Sequence, residues 1–68
     1  MIKKKITVYG MTCEMCRTTI IRGLEEVNGI KWVSVNLPES IVEVEFDQDI
    51  ITIDGIKKEI TALGYDAM

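Results

Sequence analysis

Apolar residues along this chain change from strand-like to helical spacing twice, which limits the folds open to it. Ile6 and Val8 alternate with polar neighbours as in a half-buried strand, whereas Ile20, Leu24 and Val27 follow helical spacing. The strand–helix–strand pattern then occurs a second time within the 68 residues. We therefore predict a small mixed sheet with helices packed on it, folded as one domain.

The first predicted helix runs from about Cys13–Cys16 to Val27. Asn28 and Gly29 close it, because both residue types tolerate the left-handed backbone that a helix end needs. Gly23 lies inside this helix, where glycine costs up to ~1 kcal/mol. The position of this glycine predicts close packing of the helix on the sheet.

Two more strands, a second helix and a short last strand fill the rest of the chain. A turn at Pro38–Ser40 joins the second and third strands, with Trp32 on the open face of the sheet. Thr52 caps the second helix and Gly64 ends it, which leaves Tyr65–Met68 for the last strand. The residues predicted to face inward are Val33, Val35, Leu37, Val42, Val44, Phe46, Ile53, Ile56, Ile60 and Leu63.

The resulting order, βαββαβ, predicts an α+β ferredoxin-like sandwich over residues 1–68, a four-stranded antiparallel sheet with two helices on one face. In this topology the loop after the first strand, the Pro38 hairpin and the Gly64–Tyr65 loop lie at the same end. We therefore expect Tyr65 to approach the cysteines, although it is distant from them in the sequence.

Charge and composition narrow the function. A net charge of -3 argues against a nucleic-acid partner. No apolar segment approaches the ~18 residues of a membrane span, so direct membrane insertion is not expected. The stretch "MIKKKITVYG" has the charges of a signal peptide but not its apolar run. We expect a cytoplasmic protein, whose thiols stay reduced.

The only two cysteines, Cys13 and Cys16, are three positions apart. A disulfide between them would close a very short loop and add little stability, so they are not a structural staple. One lies in the loop and the other in the first helical turn, where amides and the helix dipole stabilise thiolates. Arg17 adds a cation nearby. These features prepare metal ligands and a redox pair equally well.

The number of ligands that each metal prefers distinguishes zinc from Cu(I) and Hg(II). Zinc wants four ligands, but the chain has no histidine and no third cysteine, and Glu14 is expected to point to solvent. Soft thiolates select Cu(I), which, like Hg(II), accepts two sulfurs. An exposed two-sulfur site can also accept a third sulfur from a partner and release one of its own. This predicts transfer of the ion by ligand exchange.

The stretch "GMTCEMC", Gly10–Cys16, resembles the GMTCxxC signature of the heavy-metal-associated domain family, which comprises small copper chaperones and the N-terminal metal-binding modules of copper-transporting P-type ATPases. The resemblance covers essentially the whole chain and includes "VSVNL" at Val33–Leu37, "VEVEFD" at Val42–Asp47 and "LGYDA" at Leu63–Ala67. It implies the ferredoxin-like fold, Cu(I) bound by Cys13 and Cys16, and delivery to such an ATPase or a related domain. It does not imply an enzyme.

Residues around the pair receive supporting roles. Thr12 stands where zinc- and cadmium-directed relatives tend to have Asp, which favours copper. Tyr65 matches a family position close to the metal, either as a lid on the sheet or as a shield against water and thiols. Met11 is interpreted as core packing that steadies the loop, with thioether coordination as the alternative. Met15 is expected at the surface.

Other functions stay open beside a Cu(I) carrier. The chain could be one module of a larger ATPase, or a relative directed to Hg, Ag, Zn or Cd. A thioredoxin-like redox protein is disfavoured, because the only proline, Pro38, falls in the predicted hairpin. The recipient, the choice between delivery and scavenging, and a metal-bridged homodimer are left open by the sequence.

Overall fold

The computed structural model describes residues 1–11 and 14–68, and these form four strands and two helices in the predicted order. The elements are β1 Ile2–Tyr9, α1 Glu14–Glu25, β2 Ile30–Asn36, β3 Ile41–Phe46, α2 Ile53–Ala62 and β4 Asp66–Ala67. The strands make one antiparallel sheet in the order β2-β3-β1-β4. The predicted α+β ferredoxin-like architecture is confirmed.

The core between the sheet and the helices is almost entirely aliphatic. Alternate residues of β1 and β3 face it, and each helix contributes two residues four positions apart. The buried apolar residues are Ile6, Val8, Met11, Ile20, Leu24, Val42, Val44, Phe46, Ile56 and Ile60. Since none of the described residues buries a polar or charged side chain, burial of apolar surface stabilises this fold.

A β-bulge near the start of β2 changes which face of the sheet its side chains point to. Ile30 lies opposite Phe46, and Trp32 lies opposite the preceding residue of β3, Glu45. The extra residue between them lets both Ile30 and Val33 pack on the core, although their odd separation would place them on opposite faces of a regular strand. Trp32 is 42% exposed on the open face, as predicted.

Gly23 packs against the second helix, so the prediction that it packs on the sheet is wrong. A Cβ at Gly23 would lie 2.7 Å from Cδ1 of Leu63, closer than real Cβ contacts come. Leu63 is the C-cap residue of α2. Both helices lie on the same face of the sheet, and the close contact that requires glycine at position 23 is between α1 and the end of α2.

Helix α1 also ends two residues earlier than predicted, at Glu25. The N–H of Val27 donates to the carbonyl of Leu24 at 3.0 Å, which forms a tight turn after the helix. The Val27 side chain still packs against the core, so its apolar spacing continues past the helical hydrogen bonds. Gly29 has a left-handed backbone, with φ of +98°, but it lies four residues after Glu25 and leads the chain into β2, so the prediction that Asn28 and Gly29 close the helix is wrong.

Helix α2 begins and ends as predicted. The Thr52 hydroxyl accepts a hydrogen bond from the N–H of Gly55 at 3.1 Å, and Asp54 adds a favourable charge in the first turn. Gly64 follows the helix with φ of +101°. Neither α1 nor α2, within the ranges given above, has the length and apolar content to cross a bilayer.

Candidate metal centre

Three loops meet at the end of the sheet where β1 finishes. The carbonyl of Ser40, in the hairpin after β2, accepts a hydrogen bond from the N–H of Val8 at 2.8 Å. On the other side of β1, Tyr9 pairs with Asp66, the first residue of β4. The loop that follows β1 therefore lies between the hairpin and the α2–β4 loop, as the topology predicts.

Gly10, the first residue of the cysteine motif, lies against the ring of Tyr65. A Cβ at Gly10 would be 3.4 Å from Cδ1 of Tyr65, and the φ of Gly10 is +98°. Glycine is favoured here because the backbone adopts the left-handed region. Tyr65 is half-buried and packs against the core. Its ring therefore reaches the start of the cysteine loop from a distant part of the sequence.

Met11 is part of the core and only 8% exposed. This burial agrees with the interpretation of Met11 as a packing residue. An apolar side chain fixed in the core immediately before the cysteines can hold one end of the loop in place. The predictions for Thr12 and Cys13 lie outside the described residues.

Cys16 occupies the third position of α1, in the first helical turn. Its side chain is half-buried and packs against the core. The Sγ atom lies 3.9 Å from the carbonyl oxygen of Gly10, to which the thiol can donate a weak hydrogen bond. A sulfur at the N-terminal turn of a helix lies where backbone amides and the helix dipole favour negative charge.

Arg17 forms an ion pair with Glu14 that was not predicted from the sequence. Its Nε donates to Oε2 of Glu14 at 2.9 Å, and both side chains are exposed. The exposed position of Glu14 is as predicted. An exposed pair of this kind contributes roughly 0.2–1 kcal/mol, and the carboxylate offsets the charge that Arg17 would lend to a thiolate. The i,i+3 spacing on a helix was the signal available in the sequence.

The surface beside the first turn of α1 presents an exposed methionine and an open groove. Met15, between the two cysteines in the sequence, is 78% exposed, as predicted. An open groove of about 360 Å³ is lined by Glu14, which precedes Met15 in the sequence, by Arg17, and by residues 34–38 of β2 and the hairpin. Across residues 1–11 and 14–68, no three His, Cys, Asp or Glu side chains group closely enough to hold a metal ion.

The sequence pattern of the heavy-metal-associated domain matches residues 5–66. The chain belongs to the heavy-metal-associated domain family. The resemblance carried by the GMTCEMC motif is therefore confirmed.

Relatives of this heavy-metal-associated domain include whole small proteins and parts of transporters. The copper chaperone CopZ of Staphylococcus epidermidis is 39% identical over 66 residues, 97% of each chain. Copper-transporting ATPase 1 of Mus musculus is 35% identical over 63 residues, which cover 93% of this chain and 4% of the ATPase. The crystal structure of a copper binding domain from HMA7, a P-type ATPase, has a TM-score of 0.95 at 35% identity, covering 97% of this chain and 89% of that one.

Proposed function

We propose that this heavy-metal-associated domain carries Cu(I), held by the thiolates of Cys13 and Cys16, and passes it to a partner by thiolate exchange. The observation that supports this most is the position of Cys16, half-buried in the first turn of α1, in a chain that a copper chaperone matches over 97% of both lengths. Copper is the cargo of this function, and the domain is not an enzyme.

The negative charge of the copper-loaded site is stabilised by the N-terminus of α1. Two thiolates and one Cu(I) carry a net charge of -1. The N-terminus of α1 contributes a partial positive charge of about half a unit, which stabilises such an anion. Because the ion keeps only two sulfur ligands, it remains open to attack by another soft ligand.

Transfer follows from this open coordination. A thiolate of the partner bonds to Cu(I) and forms a three-sulfur intermediate, after which the bond from Cys13 or Cys16 breaks. The leaving thiolate keeps its electron pair, and copper stays Cu(I) throughout. The ion is never released to solvent, and no oxidant or reductant is needed.

We assign Tyr65 the role of a shield beside the ion. Its ring lies against Gly10 and packs on the core, which places it at one side of the loop. A ring there limits the approach of water and small thiols from the side of β4. The side of α1, with the exposed Met15, stays accessible to a partner.

The partner in this proposal is a copper-transporting P-type ATPase or a related heavy-metal-associated domain. The ATPase relatives contain a segment similar to nearly the whole chain, so donor and recipient would present similar sites. The groove lined by Glu14, Arg17 and residues 34–38 adjoins the first turn of α1 and offers contact area for such docking. The same chemistry serves a separate cytoplasmic carrier and a module of a transporter.

An anaerobic titration of Cu(I) against a chromophoric chelator tests the proposal. We expect one Cu(I) per chain, and a loss of well over tenfold in affinity for Cys13→Ser and for Cys16→Ser, since one thiolate remains. Met15→Leu is the control, because it replaces the neighbouring sulfur and keeps an exposed apolar side chain. Circular dichroism should show that all three variants stay folded.

Two results would contradict the proposal. One is unchanged Cu(I) affinity in both serine variants. The other is preferential binding of Zn(II) by the reduced chain when both ions are offered in competition.

A further inference from the structure

The outer strand β2 has a free edge. It pairs with β3 on one side, and in the strand order β2-β3-β1-β4 no strand of the described residues lies on its other side. The bulge between Ile30 and Trp32 ends regular pairing at one end of this edge, and Pro38 ends it at the other. The free edge therefore spans residues 32–37.

The direction of the backbone groups follows from the pairing of the neighbouring strands. Val8 donates its N–H to the carbonyl of Ser40, on the β3 side of β1. Alternate residues of a strand direct their N–H and C=O groups to the same side, so Ile6 also points to β3. Because Val42 lies opposite Ile6, it points back to β1, and the next residue, Glu43, points to β2.

Val33 and Val35 direct their backbone groups to the free edge. Ser34 lies opposite Glu43 and bonds to β3, so the residues on either side of it point the other way. Within the described residues, no backbone hydrogen bond engages the N–H or C=O groups of these two valines. Such a row of backbone groups can accept another strand.

The side chains along this edge are uncharged. Residues 32–38 read WVSVNLP, and the groove beside Glu14 and Arg17 leaves the helix side of the edge open. The first half of β1, which β4 does not reach, differs in carrying exposed lysines at Lys3–Lys5. Lysines on an edge commonly prevent strand addition, so the β2 edge lacks a protection that β1 has.

An uncharged edge of this length matches a second copy of itself. Antiparallel pairing about a two-fold axis at Ser34 places Val33 of each copy opposite Val35 of the other. Each such pair exchanges two backbone hydrogen bonds. The contact is isologous, since the same residues serve both copies, and every edge-facing group of the two valines finds a partner.

This register brings no like charges opposite each other. Lys31 is exposed, no ion pair within the described residues engages it, and it lies opposite Leu37 of the other copy. Glu39 of that copy is its diagonal neighbour. Glu39 also lines a surface with Lys5 and Glu43 of its own chain, so its attraction for Lys31 adds little. The backbone hydrogen bonds therefore account for most of the contact.

We propose that two copies of the chain pair antiparallel along their β2 edges, about a two-fold axis at Ser34, without metal. The edge is short, so the dimer is weak and reversible. It covers the groove lined by Glu14, Arg17 and residues 34–38, so that self-pairing and docking of a recipient exclude each other. This last consequence rests on the proposed function, whereas the pairing itself does not.

Sedimentation equilibrium and NMR amide shifts of the reduced chain, with a copper chelator present, test the pairing at micromolar to millimolar concentrations. We expect a reversible dimer, with the largest concentration-dependent shifts at Val33 and Val35 and small shifts at Cys16. Cys16→Ser should pair like the original chain, because neither copper nor a disulfide links the copies. Loss of the dimer in that variant would overturn the inference and leave the Cu(I) titration to be judged by itself.

Ser34→Lys and Ser34→Glu separate edge pairing from other contacts. Each variant alone places like charges opposite each other at the two-fold axis, so its self-association should fall several-fold. An equal mixture of the two should recover the dimer, because opposite charges then meet. Ala62→Lys and Ala62→Glu change the charge equally at an exposed position of α2 and should pair like the original chain.

Circular dichroism should show that all of these variants stay folded. Undiminished self-association of Ser34→Lys would overturn the inference. The same conclusion would follow if the mixture of the two Ser34 variants did not recover the dimer, or if the concentration-dependent shifts centred on Cys16 or on Lys3–Lys5.

Discussion

Cδ1 of Tyr65 lies 3.4 Å from the position that a Cβ on Gly10 would occupy, so the ring and the motif's first residue are in van der Waals contact range. Two parts of the chain that are 55 positions apart in the sequence thus meet beside the cysteine loop. Substitutions at Gly10 or Tyr65 should therefore affect the cysteine loop.

Gly10→Ala should lower the free energy of unfolding by about 1–2 kcal/mol, because its φ of +98° strains any residue with a Cβ. Urea denaturation measures this loss. Gly64→Ala is the matched control, since its φ is +101° but a Cβ there would meet nothing within 4 Å. Both variants should lose similar stability, and only Gly10→Ala should also weaken Cu(I) binding. Equal Cu(I) affinity in the two variants would show that the Gly10 conformation is irrelevant to the site.

Tyr65→Ala should speed the removal of bound Cu(I) by glutathione or a small chelator, because the ring that limits access is gone. Stopped-flow spectroscopy of the loaded domain gives this rate. Tyr65→Phe keeps the ring and should behave like the original chain. Tyr9→Ala removes an exposed aromatic residue from β1 and serves as the control. If Tyr65→Phe matched Tyr65→Ala, the hydroxyl and not the ring would carry the effect.

Met11→Leu should cost less than about 1.5 kcal/mol in stability, since it nearly conserves the volume of a buried side chain. Met11→Ala should cost about 2–5 kcal/mol, because it leaves a cavity in the core. Thermal or urea unfolding distinguishes the two. Cu(I) affinity should be unchanged in Met11→Leu. A large loss of affinity in that variant would instead support the thioether as a ligand.

Gly23→Ala should destabilise the domain, because the new Cβ would lie 2.7 Å and 3.0 Å from the two methyl carbons of Leu63. The expected loss is about 1 kcal/mol after the gain in helix propensity is included. In a Leu63→Ala background the same change should stabilise by up to ~1 kcal/mol, since the obstacle is absent. A double-mutant cycle measured in urea reports this reversal of sign. Additive effects would mean that Leu63 is not the residue that requires glycine.

Thr52→Ala should reduce the free energy of unfolding by about 1 kcal/mol, because the N–H of Gly55 loses its side-chain acceptor at the start of α2. Thr61→Ala makes the same chemical change on the same helix. Its hydroxyl donates back to the carbonyl of Lys57 inside the helix, so its loss should be nearly neutral. Chemical denaturation of both variants provides the comparison, and equal losses would argue against a capping role.

The features predicted correctly are those that local spacing determines. Alternation placed Val42, Val44 and Phe46 inward, and all three are buried. The cap of α2 at Thr52 and its end before Gly64 were predicted from the residue type at each position, and both are observed. Topology predicted that Tyr65 approaches the cysteines, and its ring lies against Gly10, the first residue of their motif.

The features predicted wrongly depend on tertiary packing. The partner of Gly23 is Leu63 on the other helix, and spacing within α1 carries no information on which neighbour requires a glycine. Val27 continues the apolar spacing of α1 through a turn, so periodicity alone extended the helix beyond Glu25. The bulge between Ile30 and Trp32 adds one residue that a period of two does not show. The metal-binding roles of Cys13 and Cys16 stay predictions.

The absence of buried polar side chains among the described residues bears on how such domains can diversify. An interior without side-chain hydrogen bonds to preserve accepts exchanges among aliphatic residues of similar volume at modest cost. The surface at each end of the sheet can therefore change its charge and shape independently of the interior. A scaffold of this kind can acquire new recognition partners during evolution while the cysteine loop is retained.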